Sequence, residues 1–147
     1  MKMFFLLLFS SLSYGRDYSV IISKTVPKDL TPIFVKNVID LNKEVGGNHI
    51  TFVNSLLNKK IYIDYDPVQF ENAAGMAIRR TFYCRITLYP LSEGIYKTTL
   101  WHEIGHCLGL NHNGVVGRIM SEKVKAFQNY SQEEVEFFLN DVRRQLR

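Results

Sequence analysis

The sequence lacks the compositional marks of a disordered or repetitive protein. No stretch of its 147 residues is rich enough in proline, glutamine or serine to indicate a flexible segment, and no internal repeat is present. Hydrophobic residues make up 46% of the chain and charged residues 22%, close to the averages of soluble globular proteins, so we expect a packed core. Without its apolar N-terminus the chain keeps about 130 residues, enough for one core. We therefore predict one domain over residues 16–147.

The chain also lacks a strong excess of charge of either sign. Eighteen Lys and Arg residues against 14 Asp and Glu residues give a net charge of +4. Aromatic residues do not alternate with the basic ones, as they do in grooves that bind single-stranded nucleic acid, and the basic pairs are scattered: Lys59-Lys60, Arg79-Arg80 and Arg143-Arg144. We interpret these pairs as solvated surface and predict no nucleic-acid partner.

A long apolar run is missing as well. Residues 3–9 are apolar, but they number about half of the ~20 residues that a helix needs to cross a bilayer. Lys2 before this run and Ser13-Tyr14-Gly15 after it are typical of a secretory signal, whereas an N-terminal membrane anchor is the alternative. No cysteine at the cleavage site indicates a lipid anchor. We predict that residues 1–15 are a signal peptide, that the mature chain begins near Arg16, and that a secreted or periplasmic monomer results.

The spacing of apolar residues predicts the element order β-α-β-β-β-β-α-loop-α. In the last strand Cys84, Ile86 and Leu88 alternate with more polar residues, as in a sheet that is covered on one face. The following helix carries an apolar stripe and stops at Gly109; the stripe consists of Leu100, Ile104, Cys107 and Leu108. The predicted strands are 18–22, 49–53, 60–64, 74–78 and 84–89, and the predicted helices run from Leu30 to a stop at Gly46-Gly47, over 95–108, and from a capping box at Ser131 onward.

Three histidines and a glutamate form the chemically informative cluster. His102 and His106 are four residues apart, which on a helix places both imidazoles on one face at a separation suited to sharing one zinc ion, and Glu103 lies beside them. Gly109 allows the chain to turn back so that His112 supplies a third nitrogen, which leaves the fourth zinc position open, as in catalytic sites. Any one of these histidines alone would more simply be a surface residue. Five specified residues at ~5% each, however, give on the order of one chance match per few million windows.

The segment HEIGHCLGLNH, residues 102–112, followed by Arg118-Ile119-Met120-Ser121, resembles the zinc motif and Met-turn of the metzincin peptidases. Within that clan, the compact length and the edge segment 74–77 look most like the matrixins. The resemblance implies an α+β fold with a five-stranded mixed sheet, a zinc helix, a Met-turn with Met120 beneath the metal, and a C-terminal helix. It also implies one catalytic Zn²⁺ on His102, His106 and His112, with Glu103 as the general base that activates a zinc-bound water.

Several residues depart from the family pattern or leave it open. Glu122 stands where some metzincins carry a tyrosine ligand, and His49 is the one histidine left for the second, structural zinc of matrixins, which we therefore expect to be absent. His49 has no carboxylate or cysteine near it in the sequence, so we interpret it as structural. A lone methionine such as Met120, in a loop that also contains Gly114 and Gly117, is usually a packing residue, but its spacing after His112 favours the Met-turn. No inhibitory prosegment is evident.

The leading hypothesis is a zinc endopeptidase whose protein or peptide substrate lies extended and antiparallel along residues 74–77, where small side chains leave the backbone approachable. The alternative for these small residues is simple packing. We expect the wall of the substrate pocket near Leu100 and the segment after Met120. Two alternatives stay open: a zinc-dependent binding module without turnover, which the intact Glu103 disfavours, and a zinc hydrolase acting on another amide. The two cysteines, Cys84 and Cys107, are either a disulfide or two buried thiols.

Overall fold

The computed structural model describes residues 17–114, 118–122 and 130–147. The predicted signal peptide and Gly117 lie outside these residues. The predicted α+β class and the order of the elements are confirmed. The elements are β1 (Tyr18–Ile22), α1 (Thr31–Val45), β2 (Ile50–Thr51), β3 (Lys59–Tyr65), β4 (Gly75–Arg79), β5 (Tyr83–Leu88), α2 (Glu93–Leu108) and α3 (Gln132–Leu146).

The five strands form one mixed sheet in the order β2-β1-β3-β5-β4. The first four strands in this order pair in parallel, whereas β4 pairs antiparallel with β5 and lies at the edge. Because β1, β3 and β5 are parallel and in register, they all begin at the same end of the sheet. One end of the sheet therefore carries the starts of β1, β3 and β5. The chain leaves β5 at the opposite end and continues into α2.

One face of the sheet is covered, as the alternation in β5 predicted. Cys84, Ile86 and Leu88 are buried in the main core, whereas Tyr83 and Arg85 on the opposite face are exposed. The core continues from this face into α1, α2 and α3. It is the burial of one side of each strand against these helices that fixes the register of the sheet.

The strand predicted over residues 49–53 is wrong in length, because β2 contains Ile50 and Thr51 only. The Ser19 side chain donates a hydrogen bond to the carbonyl of Val53 at 2.6 Å and accepts one from the backbone of Ser55 at 3.3 Å. The Ser19 hydroxyl thus binds backbone groups that would pair with β1 if β2 continued, and the backbone leaves the sheet after Thr51.

The helix ends follow local rules that the sequence already carries. Gly46 ends α1 in the left-handed conformation with φ of 76°, as its position predicted. At the start of α3 the Ser131 hydroxyl accepts from the Glu134 backbone at 3.2 Å, and the Glu134 carboxylate accepts from the Ser131 backbone at 2.7 Å. The predicted capping box is therefore confirmed.

Helix α2 is more deeply buried than an apolar stripe predicts. The four stripe residues are buried, but so are Thr99, Trp101, His102 and Glu103 on other sides of the helix. Trp101 stacks on Phe138 of α3, and its indole N–H donates to the carbonyl of Asn37 in α1 at 2.9 Å. The prediction of a single buried stripe was too narrow, because α1 and α3 enclose the helix together with the sheet.

A disulfide joins Cys84 in β5 to Cys107 in α2, with 5.5 Å between the Cα atoms. This pairing decides between the two alternatives that the sequence left open for the cysteines. Among the residues described, no helix combines the length and the apolarity that crossing a membrane requires.

Candidate metal centre

Three histidine side chains converge on one point at the surface of α2. His102 and His106 lie one turn apart on the helix, and His112 follows in the segment beyond it. Their Nε2 atoms are 3.0 Å apart between His102 and His106, 3.1 Å between His106 and His112, and 3.3 Å between His112 and His102. The predicted ligand set is therefore brought together, each residue through the same ring nitrogen.

The turn after α2 brings the third histidine back to the first two. Gly109 has φ of 104°, a left-handed conformation that disfavours residues with a Cβ, and its backbone N–H bonds to carbonyls of the last helical turn. The N–H of Leu110 then donates to the carbonyl of Gly105 at 2.9 Å, which completes a Schellman-type ending. This reversal allows a residue only six positions after His106 to face it.

Backbone carbonyls orient two of the three imidazoles. The Nδ1 of His102 lies 2.5 Å from the carbonyl oxygen of Ile119, and the Nδ1 of His106 lies 2.9 Å from that of Leu110. A carbonyl accepts hydrogen bonds only, so each Nδ1 carries the proton and each Nε2 of a neutral ring presents a lone pair to the cluster. Orientation of this kind is typical of histidine ligands to metals.

The cluster fits a bound cation. Three lone pairs about 3 Å apart repel one another unless a positive charge lies between them. A tetrahedral ion with ~2.0–2.1 Å bonds to nitrogen would separate its ligand atoms by ~3.3–3.4 Å, close to the distances observed. Among the described residues, these three histidines are the group that can hold a metal ion, although the geometry does not identify which metal.

Burial keeps the first two imidazoles neutral. His102 is 4% exposed, and desolvation lowers its pKa to about 4 from the usual 6.5, with hydrogen bonding to Ile119 acting in the opposite direction. Desolvation also lowers the pKa of His106, which is less deeply buried. Neutral rings at physiological pH are the form in which histidine binds a metal.

Glu103 lies next to the histidines but is not one of their group. It is 5% exposed, and burial raises the pKa of its carboxyl to about 7 from 4.5, although a hydrogen bond with the Ala77 backbone lowers it. Gly75 on the edge strand leaves room for this side chain, since a Cβ there would lie 3.1 Å from the Glu103 Cγ. A carboxyl of this pKa exchanges protons near neutrality.

The histidines and Glu103 open into a cleft of about 610 Å³. One wall is the edge segment, residues 73–77, and another is formed by Leu91, which precedes α2, and Ile95 in its first turn. The expectation that Leu100 forms a pocket wall is wrong, because its side chain points into the core and is fully buried. Glu122 lines the cleft, whereas residues 123–129, the rest of the segment expected to form a wall, lie outside the described residues.

The edge strand presents backbone groups to this cleft. Ala74 accepts from the Tyr89 backbone and Arg80 donates to that of Tyr83, so the hydrogen-bonded pairs fall on even-numbered residues of β4. In an antiparallel ladder the alternate residues, Gly75 and Ala77, then direct their N–H and C=O groups away from β5.

Met120 lies in a turn that contacts α2 at Gly105, between His102 and His106, at the position where the sequence predicted a Met-turn. The Ser121 N–H donates to the Arg118 carbonyl at 3.0 Å, and the Asn113 N–H donates to the Met120 carbonyl at 3.1 Å. These bonds tie the turn to the segment that carries His112. Met120 is 4% exposed and contacts Gly105 of α2, so it both packs in the core and supports the helix that carries His102 and His106.

Some functional features were not predicted from the sequence. Two of these features are the carbonyls of Leu110 and Ile119, which orient the imidazoles, and the tight contact between Gly75 and Glu103. A sequence motif cannot indicate them, because they depend on backbone groups and on the absence of a side chain. Glu122 was noted only for the tyrosine that it replaces. His49 lies outside the site, as expected, but not without a carboxylate partner: its Nδ1 is 2.8 Å from Asp17 Oδ1, because β1 and the start of β2 are adjacent.

The chain matches no protein-family model, and no curated protein shows significant sequence similarity to it. What the site does therefore has to be inferred from its own donor set, its buried carboxyl and the cleft onto which they open.

Proposed function

We propose that this protein is a zinc-dependent endopeptidase of the metzincin type, similar to a minimal matrixin domain. The observation that carries the proposal is the position of three Nε2 atoms, 3.0–3.3 Å apart, in a cleft that also holds the buried carboxyl of Glu103. A purely structural metal site would have four protein ligands and no opening. Among the described residues only three donors converge, and they face the cleft.

In this proposal His102, His106 and His112 hold the metal through neutral imidazoles. Zinc held by three neutral imidazoles would supply Lewis acidity to the site, because these ligands would leave its positive charge uncompensated. The carbonyls of Ile119 and Leu110 keep two of the rings in the required tautomer.

Glu103 acts as the general base in the proposed reaction. Its carboxyl takes a proton from the attacking water and delivers it to the amine that leaves. In the metal-free protein burial raises the pKa of this carboxyl to about 7, which makes it a stronger base than an exposed glutamate. Gly75 and the Ala77 backbone restrict where this carboxyl can lie.

The substrate is an extended peptide that pairs with the free edge of β4. Gly75 directs its N–H and C=O groups toward the cleft, and Ala77 directs its C=O there while its N–H donates to Glu103; the small side chains of both residues leave the strand approachable. Export from the cytoplasm belongs to the same proposal, and the Cys84–Cys107 disulfide supports it because disulfides persist in oxidising compartments.

A library of internally quenched peptides tests the proposal. The purified chain should cleave members of the library, lose activity with a zinc chelator and regain it when Zn²⁺ is restored. Glu103→Ala should retain bound zinc, measured by elemental analysis, while turnover falls ~10²–10⁴-fold. His49→Ala, a histidine change outside the cluster, serves as the control and should leave activity unchanged. A Glu103→Ala variant that cleaves like the wild type with its metal bound would disprove the assigned chemistry.

The same measurements separate the alternative functions. A chain that binds zinc at the three histidines but cleaves no peptide would be a binding module or a hydrolase of another amide. The intact Glu103 disfavours the first of these, because losing the base is the simplest way to abolish such an activity.

A further inference from the structure

Four strongly exposed apolar side chains lie on two loops at the end of the sheet where the parallel strands begin. The exposed fractions are 70% for Val53, 97% for Leu56 and 88% for Leu57 in the β2–β3 loop, and 81% for Phe82 in the β4–β5 turn. We call these four residues the apolar tip. Single exposed apolar residues are ordinary, but a group of large ones on one surface is typical of an interaction site.

Lys60 shows that the two loops are neighbours. Its backbone N–H donates to the carbonyl of Phe82 at 3.3 Å, and its ammonium donates to the Asn54 side chain at 2.7 Å and to the Ser55 carbonyl. One residue at the start of β3 therefore contacts both the β4–β5 turn and the β2–β3 loop.

The β2–β3 loop is held in an ordered conformation. The Asn58 N–H donates to the Ser55 carbonyl at 3.3 Å, and the Leu57 N–H donates to the Ser55 hydroxyl at 3.3 Å. The Ser19 hydroxyl anchors the loop to β1 through Val53 and Ser55. Leu56 and Leu57 are thus displayed by a hydrogen-bonded turn, so their exposure follows from the loop's own structure.

Basic side chains surround the apolar tip. Lys59 and Arg80 line a surface recess beside the turn that carries Phe82, and Lys60 lies between the two loops. Arg79 lines the same recess, but its guanidinium lies against Gly109 after α2. One acidic residue, Asp17, adjoins this end: its carbonyl accepts from the Lys59 N–H at 3.2 Å, and its carboxylate lies 2.8 Å from His49 Nδ1. The surface therefore combines projecting apolar groups with a positive rim.

We propose that this end of the sheet docks the protein onto an anionic lipid surface. The apolar tip enters the boundary between headgroups and acyl chains, while the lysines and arginines contact lipid phosphates. Charge complementarity selects this occupant over a second copy of the chain, whose own tip would bring like charges together. The docking does not depend on the proposed peptidase activity.

The location of the tip leaves the cleft accessible. Gly75 begins β4 beside Glu103, whereas Arg79 ends it next to the turn with Phe82. The strand rise of ~3.3 Å per residue puts these ends about 13 Å apart. A chain docked by the tip would therefore keep Glu103 away from the lipid surface, with the turn at Gly109, which the Arg79 guanidinium contacts, closer to it.

Co-sedimentation of the protein, as purified from expressing cells, with lipid vesicles tests the proposal. The protein should bind vesicles of phosphatidylcholine with phosphatidylglycerol more tightly than vesicles of phosphatidylcholine alone, and added salt should weaken binding. Leu56→Ser with Leu57→Ser should lower the affinity more than about tenfold. Lys59→Gln with Arg80→Gln should lower it about 25-fold, at about fivefold for each basic residue removed. Ile39→Ser, an exposed apolar change on α1, is the matched control and should have no effect.

Other outcomes overturn the proposal. Equal binding to neutral and anionic vesicles, no binding, or an equal loss in the Ile39→Ser control would each do so. Light scattering without lipid tests the second-copy alternative: a dimer that dissociates in the double leucine variant would identify the tip as a self-association surface instead. Thermal unfolding of each variant checks that the fold is retained, which is expected because the substituted side chains are on the surface.

Discussion

Gly105 of α2 and Met120 of the underlying turn are in direct contact because the glycine has no side chain. A Cβ at residue 105 would lie 2.6 Å from the Met120 Sδ and 3.2 Å from an edge carbon of Phe138. The helix that carries His102 and His106 therefore rests directly on the turn whose Ile119 carbonyl orients His102. A change in the distance between α2 and this turn would therefore also move His102 relative to the carbonyl that orients it.

Gly105→Ala should destabilise the protein by up to about 2 kcal/mol: displacing the buried Met120 side chain costs about 1–3 kcal/mol, of which up to about 1 kcal/mol is offset by the higher helix propensity of alanine. The measurement is the free energy of unfolding in denaturant. Met120→Ala alone also costs stability, through a cavity, but in that background Gly105→Ala should cost less than it does in the wild type. Additive effects in this double-mutant cycle would contradict the contact.

His112→Ala should weaken zinc binding more than about 100-fold, because loss of a partner that merely orients a ligand already costs about 10–100-fold. Competition with a chromophoric chelator measures the affinity. His49→Ala is the matched control, since that ring contacts Asp17 and not the cluster, and its zinc affinity should equal that of the wild type. An unchanged affinity in His112→Ala would remove His112 from the ligand set.

Replacing both cysteines with serine should lower the free energy of unfolding by about 3 kcal/mol. The disulfide closes a loop between residues separated by 23 positions, and the loop-entropy relation gives this value for a loop of that size. A reducing agent should produce a comparable loss in the wild-type protein and none in the double variant. Equal stability of the wild type with and without reductant would contradict the pairing.

Glu103→Gln should stabilise the metal-free protein at alkaline pH. Burial raises the pKa of this carboxyl to about 7 from 4.5, so the folded state holds its proton more tightly than the unfolded chain. The contribution is fully present below pH 4.5 and is lost as the pH rises through 7, by on the order of 3 kcal/mol.

The amide of Gln does not titrate, so the two proteins should be equally stable near pH 4.5 and diverge up to pH 8. The opposite linkage of His102, whose lowered pKa destabilises the fold as the pH falls below 6.5, is common to both proteins and cancels in the comparison. Denaturant unfolding across this pH range measures the difference. A constant difference between the two proteins would show that Glu103 titrates normally.

Much of the fold was predictable because its signals are local. The stop of α1 at Gly46, the capping box of Ser131 and Glu134, and the alternation in β5 all depend on residues a few positions apart. The pairing of His102 with His106 belongs to the same class, since the helical repeat alone brings residues four apart onto one face. The length of β2 was not predictable, because a serine in another strand decides where it ends.

The sequence by itself determined the elements, the histidine motif and the turn at Gly109, since each follows from backbone preferences and short spacings. Only the tertiary structure decided that Cys84 bonds to Cys107, that the Ile119 carbonyl orients His102, and that burial raises the pKa of Glu103. It also placed the basic pairs of β3 and β4, which are scattered along the chain, at one end of the sheet. These properties arise from contacts and desolvation between residues far apart in sequence, which no local pattern encodes.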